Sequence, residues 1–81
     1  MKKEITIQNT SGLHASIASK LVQAASRYSV DIQLIYEDKV VDAKSILGLM
    51  SLAIPSGENV VLVADGDDAE KVIAEIEKII G

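Results

Sequence analysis

The run Asn59-Val60-Val61-Leu62-Val63-Ala64 is apolar from Val60 onward and dominated by β-branched valine. A segment of that composition reads as a central strand, paired on both edges, so the rest of the chain has to supply its neighbours. Glu4-Ile5-Thr6-Ile7-Gln8 alternates polar and apolar residues, the period of a strand with one face in a core, and Asn9-Thr10-Ser11-Gly12 ends it as a turn. Asp31–Tyr36 and Lys39–Asp42 read as two further strands, joined through Glu37-Asp38 in a hairpin that lacks the glycine favoured at such turns.

Between these strands the period changes. Ala18, Leu21, Val22 and Ala25 recur at helical spacing, predicting a helix from about Ala15 to Tyr28, with Ser11 and Ser16 both caps by residue type and His14 between them. Ser45 stands as an N-cap before a short helix, Ile46–Ala53, which Pro55-Ser56-Gly57 closes. After the turn at Asp65-Gly66, Asp67 and Glu70 have capping-box spacing, and Val72, Ile73, Ile76, Ile79 and Ile80 form the stripe of a last helix. Acids lead that helix and Lys78 comes near its end, as the macrodipole prefers. The order is βαββαβα without repeat or linker, and it places residues 1–81 in one domain. Helices interleaved with strands around one core predict a two-layer α+β sandwich with the helices on one sheet face.

Composition removes several kinds of chemistry. With no cysteine there is no disulfide, thiolate zinc site or cysteine nucleophile, and one histidine argues against a dedicated transition-metal site. No cofactor is expected. A net charge of −4 and two tyrosines as the only aromatics oppose direct nucleic-acid binding. Met1-Lys2-Lys3-Glu4-Ile5 has no apolar run of the roughly 7–15 residues that a secretory signal needs, and no segment is long enough to enter a membrane, so a cytoplasmic location is expected.

Three features carry possible chemistry. His14 is the first, because a neutral imidazole is a nucleophile, and at a helix start the free N–H groups and dipole favour an anion bound just beyond it. The plain alternative is a surface or capping histidine. Ser45 is the second: structurally a cap, yet a phosphate there would meet a helix N-terminus and the adjacent Lys44. The third is the set Ile46, Leu47, Leu49, Met50 and Leu52, too many apolar residues for one narrow stripe, so that some face solvent as a docking surface would. The acids Asp65, Asp67, Asp68 and Glu70 lack the spacing of a calcium loop and are explained by turn and helix start.

Gly12-Leu13-His14-Ala15, followed by Ala43-Lys44-Ser45-Ile46-Leu47-Gly48-Leu49-Met50-Ser51-Leu52, resembles the two signatures of the HPr family, the histidine-containing phosphocarriers of the bacterial sugar phosphotransferase system. The resemblance implies an open-faced βαββαβα sandwich with a four-stranded antiparallel sheet. It implies that His14 takes a phosphoryl group from phosphorylated enzyme I and passes it to sugar-specific enzyme II A components. Such a protein is a carrier in a relay, not a turnover enzyme. It further implies phosphorylation of Ser45 by an HPr kinase/phosphorylase, binding to a catabolite-control transcription regulator, and a docking patch at Ile46, Leu47 and Met50.

The chain departs from the family pattern directly after the histidine. Where the family has Ala-Arg-Pro, this sequence has Ala15, Ser16 and Ile17. A charge-assisted hydrogen bond from the missing arginine is worth about 1.5–3 kcal/mol, or about 10- to 150-fold in transfer if nothing compensates. Ile17 offers a backbone N–H that proline lacks, and the Ser16 hydroxyl can reach an anion, so Ala15, Ser16 and Ile17 are the expected phosphate support. Lys20, one turn on and often apolar in the family, is able either to swing toward the site or to obstruct docking. Asp42 adds negative charge near Ser45. The favoured reading is a phosphocarrier with an altered site. The alternatives are a regulatory catabolite-repression protein acting through Ser45 and the apolar patch with His14 weak or inactive, and a plain binding module.

Overall fold

In the computed structural model, which describes residues Met1–Gly81, the valine-rich run becomes β4, Asn59–Asp65. It lies inside a four-stranded antiparallel sheet of order β1-β4-β2-β3, with β1 at Lys2–Thr6, β2 at Asp31–Tyr36 and β3 at Lys39–Asp42. The register pairs Glu4 with Val61 and Val61 in turn with Ile35, so β4 is bonded along both edges. Its side chains divide by parity. Val60, Leu62 and Ala64 are buried with Ile5, Ile32 and Leu34, while Lys2, Glu4, Asp31, Gln33 and Asp65 lie on the opposite, open face. The buried face is covered by α1 (Ala15–Ser26), α2 (Ile46–Leu52) and α3 (Ala69–Ile80), which share one core cluster of 22 residues with it. No helix is long and apolar enough to cross a membrane.

Element order follows the sequence reading; α2 stops one residue before its expected end and β4 runs one residue past it, and three other elements start or stop differently. β1 begins and ends two residues earlier, because Thr6 pairs with Asn59 at the close of the ladder and the chain then turns to other partners. Ile7 N–H donates to Glu58 O at 2.9 Å and Gln8 N–H to Ile80 O at 2.8 Å, while the side-chain alternation persists and buries Ile7. α1 stops at Ser26; the Arg27 N–H turns back to Ala24 O at 3.3 Å. α3 begins without the expected capping box, for Asp68 is its N-cap and makes no side-chain cap bond. Its apolar stripe, from Ala69 and Val72 to Ile80, fixes where the helix lies.

Two loops meet at the end of the sandwich where α1 starts. Gly12 has φ +71°, and a Cβ there would sit 2.6 Å from Ile54 O. The bare glycine lets Leu13 N–H reach that same carbonyl at 2.8 Å, and Gly57 N–H reaches Ile7 O at 2.7 Å. Leu13 and Ile54, both buried, pin these crossing loops to the core.

Candidate functional site

With Leu13 anchored, the next residue is carried to the surface as the N-cap of α1. His14 is extended (φ −97°, ψ −177°), and its Nδ1 accepts the Ser16 N–H at 3.3 Å. Accepting that bond requires a lone pair on Nδ1, which leaves the ring proton of the neutral imidazole on Nε2. Neither Ser11 nor Ser16, the caps suggested by residue type, closes the helix start, since Ser11 N–H is taken by Asn9 Oδ1 at 3.0 Å and Ser16 is inside the helix. The N–H groups of Ala15 and Ile17 have no partner in the protein, and the first turn contains no acid. An imidazole nitrogen therefore caps the positive end of a twelve-residue helix whose first turn keeps two N–H groups free.

Sequence-distant residues join this end. His14, Ala15 and Met50 line one shallow depression of about 360 Å³, together with Leu13, Ala53 and Pro55. Ser16 is exposed beside it, whereas the Ile17 side chain is buried, so Ile17 offers only its backbone N–H. No sequence motif singles out Ala53. It caps α2 in the left-handed region (φ 50°, ψ 49°), turning the chain back toward Ile54 and the His14 loop. A non-glycine residue at positive φ leaves little trace in sequence, although the following Pro55-Ser56-Gly57 marks a turn.

α2 places the remaining expected residues. Ser45 is its N-cap, its Oγ accepting Gly48 N–H at 3.1 Å. Leu49 and Leu52 enter the core, and Ile46, Leu47 and Met50 are 38%, 78% and 44% exposed, an apolar patch continuous with the His14 depression through Met50. Lys44 does not turn to Ser45. Its ammonium donates to Tyr28 O at 2.7 Å, a carbonyl just past α1, while Asp42 Oδ1 accepts the Lys44 N–H at 2.8 Å and shapes the turn before Ser45.

The perturbed titrating groups lie elsewhere. Tyr36 donates to Glu58 Oε1 at 2.8 Å, and that bond, with desolvation and the charges of Glu58 and Glu37, pushes the phenol up to about 12. Tyr28 is raised from its ordinary value by its hydrogen bond to Glu75. Both bonds tie loop or strand to neighbouring elements and leave the His14 end free of them.

Comparison with known proteins adds family information to this geometry. The model of the family described as "PTS HPr component phosphorylation site" matches residues 1–81. The phosphocarrier protein HPr of Haloferax volcanii is 40% identical over 82 aligned positions, covering 99% of this chain and 92% of that relative. Among solved structures, the phosphocarrier protein HPr of Bacillus anthracis superposes with a TM-score of 0.95 at 34% identity, covering 100% of this chain and 96% of that one. HPr-C-His of Thermoanaerobacter tengcongensis gives 0.93 at 42%, covering 99% and 90%.

Proposed function

Because the chain belongs to the HPr phosphocarrier family, we propose that His14 is its phosphoryl acceptor, charged by phosphorylated enzyme I and discharged to enzyme II A components. The observation that carries this reading is the Nδ1 lone pair held at the Ser16 N–H, in the same first turn as the unpartnered N–H groups of Ala15 and Ile17. In the transfer, Nδ1 gives its electron pair to phosphorus as the donor's bond to phosphorus breaks and that pair leaves with the donor. The Nε2 proton stays in place. The Ser16 N–H, released from a long 3.3 Å bond, turns to a phosphoryl oxygen, and the Ile17 N–H and Ser16 hydroxyl are further donors. Ala15, whose side chain is a single methyl, leaves the approach open. Nothing in this scheme calls for a cofactor.

The exposed residues Ile46, Leu47 and Met50 are the docking patch in this reading, since they continue the depression that holds His14. One core cluster supports treating residues 1–81 as one domain, and the cytoplasm is the location proposed with the carrier role. Incubation with enzyme I and phosphoenolpyruvate tests the carrier role: an acid-labile phosphoryl group on His14, absent from His14→Ala, is expected. No label after long incubation overturns it.

A second reading has its own observation. Ser45 is half-buried at an N-cap beside the same patch, where a phosphate would add charge to the docking surface. Phosphorylation by an HPr kinase/phosphorylase at Ser45, with binding to a catabolite-control transcription regulator, is the regulatory alternative. HPr kinase with ATP should then add an acid-stable phosphate that Ser45→Ala removes.

A further inference from the structure

We propose that Lys20 supplies the positive charge of the phosphorylated site, folding back along α1 to the phosphoryl group on His14. The proposal rests on His14 being the acceptor. A phosphoryl group brings about −1.5 to −2 charge, and this chain already has a net charge of −4. No cation touches His14 in the resting geometry.

Of the eight cationic side chains, one is placed to reach the site. Lys3, Arg27 and Lys71 are paired with Glu77, Glu75 and Asp68, and Lys44 is bonded to Tyr28 O. Lys2 and Lys39 belong to the edge strands, and Lys78 to the last turn of α3. Lys20 is exposed, has no ion-pair partner, and stands four residues after Ser16 on the same helix. Four residues are about 6 Å of helix rise, a length that the four-carbon lysine stem spans. Helical side chains lean toward the N-terminus, and residues at i and i+4 share a face, so the small Ser16 leaves the path to the first turn open.

The resting position follows from the same electrostatics. The positive end of α1 repels an ammonium while the site is empty of phosphate. Lys20 then borders the groove between α1 and α3, where Arg27, Glu75 and Lys78 are its charged neighbours. Phosphorylation reverses the sign of the field at the N-terminus, and the lysine is drawn in only when there is an anion to hold.

The test begins without protein partners. The exposed imidazole is phosphorylated with potassium phosphoramidate, and the phosphoryl group is titrated by phosphorus NMR. An ammonium beside the phosphate favours its dianion, so Lys20→Gln should raise the titration midpoint by about half a unit. Lys20→Arg and Lys78→Gln should leave it near the parent value. With enzyme I as donor, Lys20→Gln should slow transfer about 2- to 5-fold, and this loss should vanish when Ser16→Arg provides a cation of its own. The proposal is overturned by an unchanged midpoint in Lys20→Gln, by an equal shift in Lys78→Gln, or by an undiminished Lys20 effect in the Ser16→Arg background. Failure of enzyme I to label His14 removes the carrier reading instead, and the titration of chemically phosphorylated protein still decides the role of Lys20.

Discussion

Gly12→Ala should be the most damaging single-methyl substitution near the site. The new Cβ would stand 2.6 Å from Ile54 O and 3.0 Å from both Pro55 Cα and Ser56 N, all backbone atoms without a flexible way to retreat. At φ +71° an L residue also costs about 1–2 kcal/mol against glycine. Moving Ile54 O away disturbs its 2.8 Å bond from Leu13 N–H, an interaction with a net contribution of about 0.5–1.5 kcal/mol. Together these terms give a loss of about 1.5–3.5 kcal/mol, which for a domain of this size lowers Tm by about 6–28 °C. Gly57→Ala isolates the clash, because φ is +92° there but a Cβ would meet nothing within 4 Å. Calorimetry of the two variants beside the parent should show the smaller, conformational loss for Gly57→Ala alone. Equal losses, or a Gly12→Ala shift within about 3 °C of the parent, would refute the argument that the loops require contact at Gly12.

The folded-state value of Tyr36, about 12, lies above its ordinary 10, so its bond to Glu58 contributes fully below about pH 10 and is lost as pH rises toward 12. Urea midpoints across that window should fall for the parent and fall less for Tyr36→Phe. Leu47→Ser, at a position 78% exposed, should change stability by no more than about 0.5 kcal/mol while weakening transfer from enzyme I; Leu49→Ala, at a fully buried position of the same helix, should cost about 2–5 kcal/mol in denaturant unfolding. Ser45→Ala removes the acceptor for Gly48 N–H and should cost about 1 kcal/mol by the same measurement.

Periodicity made much of this architecture legible. β2 and β3 have the bounds their alternation implies, and the valine run of β4 is central because apolar β-branched residues need partners on both edges. Ser45 as a cap and the surplus apolar residues of α2 were equally readable, since both follow from local chemistry. What escaped depended on tertiary contact. The Asp67–Glu70 box is not formed because burial of Ala69 and Val72 governs the start of α3. Lys44 turns away from Ser45 because the Tyr28 carbonyl, distant in sequence, is a nearby acceptor. At the site, residue types named His14 and Met50 separately, but only the folded chain brings them to one depression. His14 itself proved to be the cap, a role that serine and asparagine more often fill.

In the proposed reading, phosphoryl carriage depends on the Nδ1 lone pair of His14 at the N-terminus of α1. Intact-mass and fragment spectra after incubation with enzyme I and phosphoenolpyruvate test it most directly. One acid-labile phosphoryl group on His14, formed more slowly than in Ser16→Arg and absent from His14→Ala, is the predicted result. An unlabelled protein, or a label that persists in His14→Ala, would contradict it.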